Sequence, residues 1–325
     1  MKNQSGSALV AALCFIFGAS LLTMSVLALS KYNSFTIRPH VEMQRNMYIS
    51  EGAANRIQWL IAADRSLHPT TNPGDEDYSE FDCDRYIADG VIHTLDYYGS
   101  ILTFTITDAR SGLDFSSQNR GNTLNQIKTV YNTDTEITEK IDLLSDLIGD
   151  YIDSNDSITG EGKESADYES EGRKPLPRNR EMQYREELFY IDGFTSFFPV
   201  DKHGRLSSIR LIPPDNMIDL SGPPNIFTAD KFQLMLYCDF EEESEAETVL
   251  EALKIFQTER VNLADQLDIE LLPKLRSNFS WQESGCYTVT LHPEKIGKRL
   301  TFTFNGFEVG GPSEEMVRYL EWLFF

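Results

Sequence analysis

No charged residue occurs between Asn3 and Ser30 of MKNQSGSALVAALCFIFGASLLTMSVLALSK. A helix of about 20 apolar residues spans a bilayer, so this run is long enough to cross one. The rest of the chain must then fold on one side of that membrane. Lys2 is the only charge ahead of the run, which predicts a cytoplasmic N-terminus and a body outside.

Three readings of the run stay open on the residues alone. It can be a secretory signal cleaved near Val26-Leu27-Ala28, an uncleaved anchor, or a prepilin-type signal. In the third, the cut falls before the apolar run, after Gly6, and leaves Ser7 as the new N-terminus with the helix intact. The helix is expected to continue outward. Pro39 should kink or restart it, and Met43, Met47, Ala54, Ile57 and Ile61 predict an amphipathic stretch over about 40–63.

The body shows apolar patterning of both periods. Ile101–Thr107 alternates and is β-branched, which predicts a strand, and Asp108–Gly112 then turns the chain. Ile137, Ile141, Leu144, Leu147, Ile148 and Tyr151 share one helical face. Residues 186–191 predict a short helix closed by Gly193. Two Pro-Pro pairs mark 213–226 as a linker, and a second helical block follows to about 276. Ser244-Glu245-Ala246-Glu247 predicts a capping box there. Strands return at Cys286–Leu291 and Leu300–Phe307, and 314–325 is expected to be helical. Strands on either side of two helical blocks point to an α+β domain carrying a helical insertion.

The net charge of -22 repels phosphate backbones and argues against nucleic-acid binding. It suits hard cations. The four cysteines, Cys14, Cys83, Cys238 and Cys286, form no CxxC and give no zinc signature. If the body is extracytoplasmic, Cys238–Cys286 is the preferred disulfide among several pairings. No GxSxG, HExxH or GxxxxGK[ST] motif is present, and His40, His68, His93, His203 and His292 are scattered, so no enzyme is expected.

Charge concentrates in GDYIDSNDSITGEGKESADYESEG, residues 149–172, with eight acidic residues against one lysine from Asp150 to Glu171. With Asp153 as position 1 of a calcium loop, Asn155 falls at 3, Ser157 at 5, Thr159 at 7 and Glu164 at 12. Ile158 occupies the position where an EF-hand needs glycine, so a looser calcium loop fits better than an EF-hand. A solvated acidic loop is the other reading.

An ordered set of motifs resembles the minor pseudopilin K family of type II secretion, also called general secretion pathway protein K. They are Gly6-Ser7 with Ala11 where most pilin-like chains carry glutamate, then Gln44–Ala53, and Asp108–Phe115. After these come Asp150, Asp153 and Asn155; Gly162 and Glu164; Tyr168; Pro177-Arg178-Asn179; Glu187-Leu188; Gly193; and Asn225–Ala229. The resemblance implies a pilin-like long N-terminal helix on a small antiparallel sheet, with a large, two-part, SAM-like helical insertion. It implies a leader at 1–6, a transmembrane helix at 7–31 and a pilin-like domain at 32–112 and 277–325. The insertion would divide into 113–212, with the acidic calcium loop, and 213–276. Calcium is the implied cofactor, with Asp150, Asp153, Asn155, Glu164 and Asp167 as expected ligands. Implied partners are the I and J minor pseudopilins, the major pseudopilin, prepilin peptidase and the inner-membrane secretion platform. The implied setting is a bacterial inner membrane, with the body periplasmic and the chain at a pseudopilus tip. A type IV pilus minor pilin and a membrane-anchored acidic binding module remain the alternatives.

Overall fold

A computed structural model describes residues 5–68, 72–78, 84–173, 177–201, 204–213, 220, 222–238, 240, 242–293, 298–306 and 318–325. Helix α1 (Ser5–Leu67) runs 63 residues without a break, about 95 Å at 1.5 Å per residue. Its N-terminal half exposes Phe15, Phe17, Leu22 and Met24. Among the described residues it is the one helix long and apolar enough to cross a membrane. Its C-terminal half buries Ala53, Ala54, Ile57 and Ile61.

The chain then forms a hairpin of β1 (Asp89–Tyr97) and β2 (Ser100–Asp108). Tyr98 and Gly99 both take positive φ, 50° and 71°, the twisted two-residue turn that matches hairpin strands. Next come β3 (Leu113–Asp114), α2 (Arg120–Val130), α3 (Thr135–Ile152), α4 (Ser165–Ser170), α5 (Phe194–Phe197) and β4 (Ile209–Arg210). Helices α6 (Lys231–Cys238), α7 (Glu243–Glu259) and α8 (Leu271–Asn278) precede β5 (Cys286–Pro293), β6 (Leu300–Asn305) and β7 (Tyr319–Phe324). The main sheet is antiparallel, in the order β1-β2-β5-β6-β7. Among the described residues, all the α-helices after α1 lie between β2 and β5 in sequence, so they are an insertion into one sheet.

Period-2 alternation gives the sheet two unlike faces. Leu102, Phe104, Ile106, Val289, Leu291, Phe302 and Phe304 pack with α1 in one core, each worth roughly 1.5–3 kcal/mol when fully buried. The other face is hydroxylated. Thr288 and Thr303 meet at 2.8 Å, and Thr290 and Thr301 at 3.1 Å. Arg65 ties the end of α1 to the sheet, donating to Glu283 at 2.7 Å and to the Tyr287 hydroxyl at 3.1 Å. The insertion has its own cores. One gathers Leu113, Phe115, Ile127, Leu144, Phe194 and Ile209. The other gathers Phe227, Leu234, Val249, Phe256, Leu275 and Trp281. Leu236 of α6 reaches back into the first.

Four expectations need correction. Of the two outcomes expected at Pro39, a restart is excluded, because α1 continues through it as one helix; a proline costs the helix one hydrogen bond, and long helical flanks on both sides carry the chain through. Residues 319–324 form a strand, not a helix. Trp322 packs on Phe302 with ring centroids 5.3 Å apart, while the neighbouring Glu321 reaches Arg185 at 3.0 Å on the other face. That alternation is a strand period. Ser244 makes no capping box: the N-cap of α7 is Glu242, two residues earlier, and the Ser244 hydroxyl donates to Glu242 at 3.2 Å. Cys238 and Cys286 do not pair with each other: they are buried in different clusters. Cys83 lies outside the described residues.

Candidate metal centre

Helix α3 starts at Asp134, whose carboxylate accepts from the Ile137 N–H at 3.1 Å. Its apolar stripe turns Ile141, Leu144, Leu147, Ile148 and Tyr151 into the first insertion core. The same turn of helix that buries Tyr151 also buries Asp150 completely. Asp153 closes the helix, its N–H bonded to the Gly149 carbonyl at 3.0 Å. Two carboxylates therefore stand at a helix C-terminus, the end whose dipole disfavours anions, and no basic residue lies in that last turn.

The loop after α3 wraps these two groups. The Thr159 N–H donates to both oxygens of Asp150, at 3.1 Å each. Asp153 accepts from the Asn155 side-chain amide at 2.7 Å, and the Asn155 carbonyl oxygen accepts the Ser157 N–H at 2.8 Å. Gly162 lies directly against Asp150; a Cβ there would meet Oδ2 at 2.0 Å. The chain then delivers Glu164 at the start of α4, 3% exposed, its carboxylate facing only the backbone N–H groups of that helix start and no cationic side chain. Asp150, Asp153 and Glu164 each offer an oxygen within 4.8 Å of the others.

Such an arrangement is costly without a cation. Burial pushes the Glu164 carboxyl above the usual carboxylate range, and the nearby charges of Asp150, Asp153 and Asp156 push it further. The adjacent Lys163 does not relieve it. Its ammonium is held at 2.6 Å by Glu171 and 2.5 Å by Asp192, and Arg173 completes that separate network. Three carboxylates with oxygens this close, one of them buried without a cationic side chain beside it, fit a hard divalent cation with oxygen ligands at 2.3–2.6 Å. A side chain at position 162 would collide with the Asp150 carboxylate.

Of the residues named from sequence, the structure brings together Asp150, Asp153 and Glu164. Asn155 sits beside Asp153 with its carbonyl oxygen already engaged. Asp167 stands behind the site: its Oδ2 accepts the Glu164 N–H at 3.0 Å, which fixes the backbone that presents Glu164. Gly6 and Ser7 fall in the first turns of α1. Asp146 was not singled out from sequence. Its carboxylate accepts the Glu161 N–H at 3.0 Å and lies against Gly160. The available signal was its position four residues before Asp150, on the same side of α3.

No family model and no curated protein matches the sequence. Among solved structures, the chain is similar to one in the crystal structure of the GspK-GspI-GspJ complex of the enterotoxigenic Escherichia coli type 2 secretion system. The two are 13% identical with a TM-score of 0.52, and the match covers 89% of this chain and 99% of that one. The likeness shows a GspK-like fold, with a long N-terminal helix, a small antiparallel sheet and additional helices.

Proposed function

We propose that the chain is a minor pseudopilin of a type II secretion system, anchored by α1 in the bacterial inner membrane with its body in the periplasm. The observation that carries this is the continuity of α1. One helix serves as an apolar, membrane-length segment at its start and as the sheet's packing partner at its end. The fold likeness supports it, because the similar chain belongs to a complex of GspK with GspI and GspJ.

In this reading Gly6-Ser7 is the site cut by prepilin peptidase, and residues 7–31 pack among the apolar helices of the major pseudopilin. Ala11 in place of glutamate removes a charged contact to a preceding subunit, which suits a subunit with none above it. The helices between β2 and β5 divide into the parts 113–212 and 213–276, a bulk that suits the tip and would obstruct another subunit there. Its partners are then the I and J minor pseudopilins, assembled on the inner-membrane platform.

The acidic site gives the insertion its rigidity. Asp150, Asp153 and Glu164 would hold calcium, which supplies positive charge to three carboxylates that otherwise repel one another. Asp167 holds the Glu164 backbone in place, Thr159 holds Asp150, and Gly162 leaves the room. The site joins the end of α3 to the start of α4, and ligand binding stabilises only the state that has the site formed. The test is co-purification of the chain with the I- and J-type minor pseudopilins of the same cell, with and without calcium. A stoichiometric complex supports the proposal; a chain that never joins either partner contradicts it.

A further inference from the structure

Strand β7 ends the sheet, and its outer side has no pairing strand among the described residues. The register identifies which backbone groups are open. Arg299 and Phe325 exchange both N–H···O bonds, at 3.0 Å each, and Thr301 pairs with Leu323 and Thr303 with Glu321. Hydrogen-bonded and non-bonded pairs alternate along an antiparallel ladder. Trp322 and Phe324 therefore turn their N–H and C=O groups away from β6, and neither bonds to any described residue. The side chains along this edge are half open: Tyr319 is 44% exposed, Trp322 37% and Leu323 37%. An unpaired apolar edge is a template for another strand.

Each edge strand carries one irregularity, β1 between Asp89 and Ile92 and β7 between Tyr319 and Glu321, a device that blunts pairing locally. From Glu321 to Phe324 the register of β7 is regular.

Charge identifies what would fit. The chain is strongly acidic, yet Lys298, Arg299 and Arg318 flank the two ends of β7. None of the three forms an ion pair with a described carboxylate. A second copy of the chain is a poor occupant. Antiparallel β7–β7 pairing requires a two-fold axis normal to the sheet. Because α1 lies along the sheet face, that axis would reverse it and point the two apolar ends in opposite directions. We infer that β7 is a docking edge for an extended segment of a different protein, apolar in alternate positions and flanked by carboxylates. Main-chain bonds to Trp322 and Phe324 would give affinity, and the basic ends would set register and choice of partner. This inference stands on the strand edge and does not require the pseudopilin reading.

The test uses the full chain in detergent micelles and a blocked peptide of alternating valine and threonine with a glutamate at each end. Hydrogen exchange read at single residues should slow at least tenfold at the Trp322 and Phe324 amides when the peptide is added. The same peptide with lysine ends should need at least fivefold higher concentration. Trp322→Pro, which removes one outward N–H at an edge position that tolerates proline, should abolish the slowing at the Phe324 amide, with some loss of melting temperature because the Trp322 ring leaves Phe302; Trp322→Phe, which keeps the N–H and an aromatic ring, should retain it. Arg318→Glu, which leaves the backbone intact, should weaken it. Amides already protected without peptide, no slowing at saturating peptide, or equal response to both peptides would each overturn the inference.

Discussion

Gly162 and Asp150 occupy space that only a glycine permits: a Cβ at position 162 would lie 2.0 Å from the Asp150 carboxylate and 2.9 Å from the Thr159 carbonyl oxygen. The contact joins the end of α3 to the loop that delivers Glu164. Gly162→Ala should push the loop outward, costing about 1–3 kcal/mol and at least tenfold in calcium affinity. Calorimetric titration of the variant checks this, and an unchanged affinity would remove Gly162 from the account.

Glu164→Gln separates a cation site from a merely acidic loop. The substitution keeps the shape and removes one of three crowded charges. The calcium-free protein should melt about 2 °C higher or more, while the rise in melting temperature on adding calcium should disappear. Loss of stability in both conditions would indicate a packing role for Glu164 alone. Thermal unfolding with chelator and with calcium distinguishes the outcomes.

Asp114 links acid stability to the root of the insertion. Burial alone would raise its carboxyl, but Arg210 at 2.7 Å, with Ser116 and Asn119, outweighs burial and holds it below the usual range. A depressed carboxyl contributes stability that is present above its unfolded value of 3.8 and is lost as pH falls through the folded value. Asp114→Asn should destabilise by about 3–5 kcal/mol at pH 7, since it leaves the Arg210 charge buried and unpaired. The difference from the parent should stay constant down to about pH 5 and shrink only below 3.8. Chemical denaturation across that range measures it.

Cys238 should be chemically silent in the folded chain. Burial pushes its thiol up to about 12, and thiolate is the reactive form. Iodoacetamide at pH 8 should leave Cys238 unmodified until guanidinium unfolds the second insertion core. Rapid labelling of the native protein, read by peptide mass, would contradict its placement there.

Much of this was legible in the sequence. The uncharged run, the β2 alternation and the stripe on α3 are periodic, and periodicity survives without tertiary context. The spacing that pointed to Asp150, Asp153 and Glu164 was informative because helix end, loop and helix start are local in sequence. Asp167 is harder to read, because an acid three residues after Glu164 can either ligate or cap; in the fold its Oδ2 accepts the Glu164 N–H. The last strand was missed for a similar reason. The run Tyr319–Phe324 is apolar enough for either period, and Phe302 and Arg185, far away in sequence, select the strand. Strand β1, with Ile92 exposed and His93, Asp96 and other polar residues in it, carried too weak an alternation to stand out from the loop before it.

The account rests most on α1 being a retained pilin-type helix, and the mature N-terminus tests that directly. Intact mass and N-terminal sequencing of the chain, purified from membranes that contain prepilin peptidase, should show loss of residues 1–6 and a start at Ser7. A start at Leu29, with the apolar half of α1 removed, would contradict it.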